Sequence, residues 1–164
     1  MIQDPVMHFA KKIKARREEL GLTDVEVAKR VGVSIHDYSD IEVQAKEVFL
    51  YPEIRSVKKI CEELKVDFLE LFEMQCSFCE EGKKHLEDYS LPRSKLVNKR
   101  RLEMGLSTAQ IGDRVGFEES AINDMENDPN YLETWPIDYI KDLSRILSVP
   151  LQVLLNVKCG KCHR

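Results

Sequence analysis

Leu20-Gly21-Leu22-Thr23-Asp24-Val25-Glu26-Val27-Ala28-Lys29-Arg30-Val31-Gly32-Val33-Ser34 is the stretch whose reading decides the fold. Gly21 follows a run rich in lysine and arginine and sits where a helix must end in left-handed backbone, a conformation glycine takes without strain. Thr23 is placed to cap a new helix, and Glu26, three residues on, completes a capping box. Val25, Ala28 and Val31 are expected to form that helix's inner face. Gly32 ends it, and Ser34 caps the next. The stretch therefore predicts three short helices joined by two tight turns.

Working outward, Phe9, Ile13 and Leu20 share a stripe that predicts a first helix over about Val6 to Leu20, its other faces carrying Lys11, Lys12, Lys14, Arg16 and Arg17. After Ser34 the third helix runs to about Glu42. Pro52 marks the first turn of a fourth helix bearing Ile54, Val57, Ile60, Cys61 and Leu64. A fifth, Asp67 to Met74, presents Phe68, Leu71 and Phe72. The segment closes on Cys76-Ser77-Phe78-Cys79.

The whole pattern then recurs. Gly105, Ser107, Val115-Gly116, Glu126 and Pro136 stand 84 positions after Gly21, Thr23, Val31-Gly32, Glu42 and Pro52. Beyond that the offset is 83, so that Ile140, Leu143 and Leu147 answer Val57, Ile60 and Leu64, and Cys159-Gly160-Lys161-Cys162 answers the first cysteine pair. The expected architecture is all-α, two tandem five-helix domains with pseudo-two-fold symmetry. Domain 1 covers residues 1–79, residues 80–92 form a charged linker, and domain 2 covers residues 93–164.

Two CxxC pairs at matching ends of a duplicated unit supply what one structural Zn2+ needs, four thiolates in a tetrahedron. Cys76, Cys79, Cys159 and Cys162 are the expected ligands of a zinc joining the two domains, with no open position for water or substrate. A thioredoxin-like redox pair is an alternative, although such a motif opens a helix after a strand and these pairs follow helices. A disulfide or unligated thiols remain open. His85 and His163 are near enough in sequence to substitute for a ligand or to support one, or are simply exposed. Cys61, within an apolar helical pattern, reads as a buried inert thiol.

Composition narrows the class. With 43% hydrophobic and 33% charged residues among 164, the chain has the make-up of a globular protein. It contains no run of about 18 apolar residues, so no membrane span is expected. The start, MIQDPVMHFAKKIK, lacks the pattern of a secretory leader, and five cysteines suit a reducing compartment. A cytoplasmic location is expected. No nucleophile elbow, phosphate loop or other catalytic constellation is present, which predicts a non-enzyme with no small-molecule substrate.

The run Arg17…Leu20-Gly21-Leu22-Thr23…Val27-Ala28…Val31-Gly32-Val33-Ser34…Ile41-Glu42 resembles the phage-repressor (Cro-like, xenobiotic-response-element) type helix-turn-helix family. So does Arg101…Gly105-Leu106-Ser107…Ile111-Gly112…Val115-Gly116-Phe117…Met125-Glu126. The resemblance implies that Arg17 pairs with Glu42 and Arg101 with Glu126, and that the third helix of each copy enters a major groove of double-stranded DNA. It implies a transcription regulator that works as a dimer fused into one chain.

The residues on those third helices pull the other way. The family's base-reading positions fall on Ile35, His36 and Asp40, and on Glu119, Ser120 and Asp124. Neither Ser34–Gln44 nor Glu118–Asp128 contains a lysine or arginine. Acids in a groove lined by phosphate meet repulsion instead of releasing counterions. The net charge of −4 points the same way. Ser34, His36, Tyr38, Ser120 and Asn123 remain as candidates for base contact, and Lys29, Arg30 and Arg114 for flanking phosphate. The alternative is a repressor-like scaffold, of the immunity or antitoxin kind, that meets a basic protein through Asp37, Asp40, Glu118, Glu119 and Asp124. A third reading leaves both acidic faces merely solvated.

Overall fold

A computed structural model of the chain describes residues 5–43, 50–76, 79 and 89–161, with side chains from residue 9 onward. Every regular element among the described residues is helical. No helix among them is long and apolar enough to cross a membrane. The chain divides into two compact units, Met1–Gln75 and Cys76–Arg164. Cys76 and Cys79 thus belong with the second. Most of the expected linker lies outside the described residues.

In the first unit, α1 (Pro5–Glu19) runs into Gly21, and α2 (Asp24–Val31) starts at Thr23. The capping box is complete. Thr23 Oγ1 accepts from the Glu26 amide at 3.2 Å, and the Glu26 carboxylate takes the Thr23 amide at 2.7 Å. Two of the amides a helix start leaves unpaired are thereby satisfied. Gly32 closes α2 with φ at 75°. Ser34 accepts from the Asp37 amide at 3.0 Å as α3 (Ile35–Val43) begins. Further on come α4 (Ile54–Leu64) and the single turn α5 (Phe68–Leu71), capped by Asp67.

Phe9, Ile13, Val27, Tyr38, Ile60 and Leu64 are among the side chains filling this unit's core. Phe9 stacks on Phe72 with centroids 4.6 Å apart, which brings the end of α5 back to α1. Two expectations fail in the phase of α2 and in α3. Val25 is 59% exposed, and Val27 is buried beside Ala28 and Val31. The buried stripe of α2 therefore runs through 27, 28 and 31, the i, i+1, i+4 spacing of one helical face, with Val25 turned away from it. Tyr38 is fully buried and so is unavailable for base contact.

The hydroxyl of Tyr38 meets no hydrogen-bond partner of normal geometry, although Glu42 and Arg17 lie beside it. Burial first, and then the Glu42 carboxylate, push its phenol far above the ordinary range. In the repeat, the place 84 positions on holds the apolar Ile122, also buried. Tyr38→Phe removes a buried oxygen that has no hydrogen bond of normal geometry, so urea unfolding should show no loss and a gain of up to about 1 kcal/mol. A loss above about 1 kcal/mol would show that the hydroxyl is bonded after all.

The second unit repeats the same local chemistry with different residues. Pro92 precedes α6 (Arg93–Glu103), and Ser107 caps α7 (Thr108–Val115). Gln110 takes the place of Glu26 in the box, its amide donating to Ser107 Oγ at 3.1 Å and its side-chain oxygen accepting from the Ser107 amide at 2.8 Å. Gly116 ends α7 with φ at 80°. Then come α8 (Glu119–Asn127), a 3-10 turn (Tyr131–Thr134), α9 (Ile137–Leu147) and α10 (Leu151–Leu155). Leu96, Ile111, Ile122, Met125 and Leu143 are in its core. Trp135, the lone tryptophan, is buried and stacks on Phe117 at 4.2 Å, with Tyr139 edge-on to Phe117.

Each unit is tied across its first and third helices by a part-buried ion pair. Arg17 Nη2 donates to Glu42 Oε2 at 2.8 Å and Arg17 Nη1 to the Leu22 carbonyl at 2.9 Å. Arg101 does the same with Glu126 Oε2 at 2.8 Å and the Leu106 carbonyl at 2.9 Å. One guanidinium thus holds the turn after its own helix and the end of a helix 25 residues away. A planar five-donor fork suits that double task better than an ammonium would.

Candidate functional site

Three of the four expected ligands are described, and the fold gathers them. The reactive sulfurs of Cys76, Cys79 and Cys159 all lie within 4.8 Å of one another, and those of Cys79 and Cys159 are 3.6 Å apart. Cys162 lies outside the described residues, as do His85 and His163. All three described cysteines fall in the unit Cys76–Arg164.

The approach is local at each end and long-range between them. The Cys79 amide donates to the Cys76 carbonyl at 3.0 Å, a tight turn that folds the first pair on itself. At the other end Asn156, in left-handed backbone, closes α10, and the chain turns into Cys159. The Lys161 amide then donates to Cys159 Sγ at 3.4 Å. Cys76 and Cys159 are buried, and Cys79 is exposed.

The donor set fits a thiophilic ion. Four sulfurs at about 2.3 Å from a tetrahedral ion stand about 3.8 Å apart, and the observed spacing brackets that edge. A disulfide needs sulfurs at about 2.05 Å, far closer than the Cys79–Cys159 separation. Three thiolates around a divalent ion leave net negative charge, which is costly to bury without donors. Cys159 has the Lys161 amide. Cys76 has the side chain of Gln152, whose Nε2 lies 3.3 Å from Cys76 Sγ. Cys79 faces solvent. Each described sulfur therefore has a donor or water to meet its charge.

Sequence reasoning missed Gln152. It was detectable as the polar residue in the otherwise apolar run Leu151–Leu155, at a place answered 83 positions earlier by Leu69. Cys61 lies elsewhere, buried in the first unit, and burial pushes its thiol up to about 12. A thiol held protonated in that way is a poor metal ligand and a poor nucleophile.

The faces expected to meet a partner are exposed, with the exception of Tyr38. On α3, Ser34, His36, Asp37 and Asp40 are open to solvent, with Ile35 half-open between them. On and just before α8, Glu118, Glu119, Ser120, Asn123 and Asp124 are exposed. Part of this polarity is already used within the fold. The Ser34 hydroxyl caps α3, and Thr108 Oγ1 donates to Glu119 Oε1 at 2.6 Å. Lys29, Arg30 and Arg114 are exposed as well, and Arg30 is paired with Glu63 at 2.7 Å. Helix α3 and helix α8 thus present acids and short polar groups and carry no lysine or arginine of their own. No family model, curated protein or solved structure matches this chain.

Proposed function

We propose that the chain is a tandem pair of repressor-like helix-turn-helix domains carrying one structural zinc, and that it acts as a transcription regulator binding double-stranded DNA as a covalent pseudo-dimer. The observation that supports this most is the repeated capped helix, left-handed glycine and third helix, closed each time by the same arginine–glutamate pair. That arrangement leaves one face of α3 and one of α8 open to solvent at the end of a rigid turn. Ser34, His36, Ser120 and Asn123 are the base-contact residues in this reading, and Lys29, Arg30 and Arg114 hold flanking phosphate. In this reading the zinc sits on Cys76, Cys79, Cys159 and Cys162 and only holds the chain, and the protein is a binding module rather than an enzyme. Four thiolate ligands suit a reducing compartment, which supports a cytoplasmic location.

A second reading is favoured by one specific observation, the exposed acids Asp37, Asp40, Glu118, Glu119 and Asp124 without a cation on their own helices. A protein partner with a basic surface would complement them, and charge of that kind selects partners and speeds encounter.

DNA binding measured against salt separates the two. Operator binding should weaken steeply as salt rises, and replacing Lys29 or Arg114 by alanine should each reduce the slope of log K against log salt by about 1. Absence of binding to a random-sequence DNA pool at low salt would overturn the DNA reading and leave the basic-protein one. Elemental analysis of the purified chain should return one zinc per molecule.

A further inference from the structure

Among the described residues Gln152 is an unusual choice for its position. It sits in the single-turn helix α10 between Leu151 and Val153, is 4% exposed, and occupies the register place where the first repeat has the equally buried Leu69. A buried primary amide costs free energy unless its donors and acceptor are met. Leucine at the same register position in the first repeat shows that helix geometry alone does not ask for an amide. At the second place a sulfur stands 3.3 Å from the glutamine nitrogen.

The chemistry of that contact is one-directional. A thiolate has lone pairs and no proton, so it accepts, and only the nitrogen end of the glutamine can face it favourably. Cys76 is buried, so no bulk water is at hand to take over the role. We infer that Gln152 is a positioning residue for the metal centre: its side-chain N–H donates to Cys76 Sγ, holds that sulfur in ligating orientation and disperses the charge that a bound centre would leave on it. The inference rests on the metal reading above and assigns a role within it. Groups that orient a ligand and tune its charge in this way are worth 10–100-fold in metal affinity. The contact also sets a ranking among variants. Gln152→Leu restores the residue found in the first repeat, keeps the site apolar and removes the donor. Gln152→Glu keeps the shape and puts an acceptor where the donor was.

The test uses the full chain loaded with Co2+, whose sulfur-to-cobalt charge-transfer bands report the thiolates directly, with Zn2+ affinity read by chelator competition. Gln152→Leu should bind Zn2+ about 10–100-fold more weakly than the parent, and its charge-transfer band should move to longer wavelength, because a sulfur that loses a donated hydrogen bond gives up electrons more readily. Gln152→Glu should bind more weakly still. The metal-free melting curves of the parent and Gln152→Leu serve as the check on folding. A folded Gln152→Leu with unchanged affinity and an unchanged band overturns the inference while leaving the metal centre standing. A parent protein that shows no charge-transfer band with Co2+ overturns the metal reading itself. A variant that melts lower without metal yet keeps parental affinity and spectrum assigns Gln152 to packing, and also overturns it.

Discussion

With the proposed metal bound at the cysteine cluster, stripping it with a chelator is expected to lower the melting midpoint of the Cys76–Arg164 unit by on the order of 15 °C. The reason is chain topology. Cys79 and Cys159 are 80 residues apart, and an ion that holds both closes almost the entire unit into a loop. In the chain-entropy treatment of a covalent cross-link, closing a loop of that length is worth about 4 kcal/mol, and each kcal/mol moves the midpoint of a domain this size by roughly 4–8 °C. A metal clip gives somewhat less, because the unfolded chain's thiols also bind the ion. The helical core should survive the loss, since Leu96, Ile111, Ile122 and Leu143 are fully buried on the unit's helices. Trp135 makes the measurement selective, being the lone tryptophan and buried within this unit. Its fluorescence should melt early in the stripped protein, and Cys79→Ser should shift it in the same direction. An unchanged Trp135 midpoint, in protein shown to have lost its metal, would mean the cysteine cluster carries no structural load.

Arg101→Met should cost the same unit about 3–5 kcal/mol, because it strands a carboxylate that is 7% exposed. Glu126 would keep the Asn98 amide and the nearby charge of Lys95. Replacing both partners, as Arg101→Met with Glu126→Leu, should recover most of that loss, since two apolar side chains of similar volume need no compensating charge. The pair also sets a pH dependence. Burial alone would push the Glu126 carboxyl up, but hydrogen bonds from Arg101 and Asn98, together with the charges of Arg101 and Lys95, outweigh it and hold it below the ordinary range. A carboxyl lowered on folding stabilises the native state above its unfolded pKa, and that contribution is lost as pH falls through the lowered value. Acid unfolding of the parent should therefore show a loss that begins as pH falls into the ordinary carboxylate range and is complete below the lowered value, and the double variant should show less of it. If the single and double variants unfold alike, the pair is not the clamp its geometry describes.

Arg101 and Glu126 show how far the sequence reaches. Nothing in the neighbourhood of either residue names the other, and their pairing came into view only through the likeness to a family. The turns are a different case, because capping is written locally. Thr23 with Glu26, Ser107 with Gln110, and the glycines at 32 and 116 all lie within four residues of what they stabilise. The all-helical class follows from such spacings and from apolar stripes of helical period. The cysteine repeat was equally plain, being a matter of counting.

By itself, then, the sequence determined the helical class, the capped turns and the doubling of the unit, all consequences of interactions within a few residues. Only the tertiary structure decided which side chains those helices turn inward. It buried Tyr38 and exposed Val25, because a helix of eight or nine residues is phased by what packs against it more than by its own pattern. It also set Gln152 beside Cys76, 76 positions away in the chain. That contact exists because folding brings the end of the chain back to the cysteine that opens the unit, and no local rule of propensity or spacing carries information over that distance.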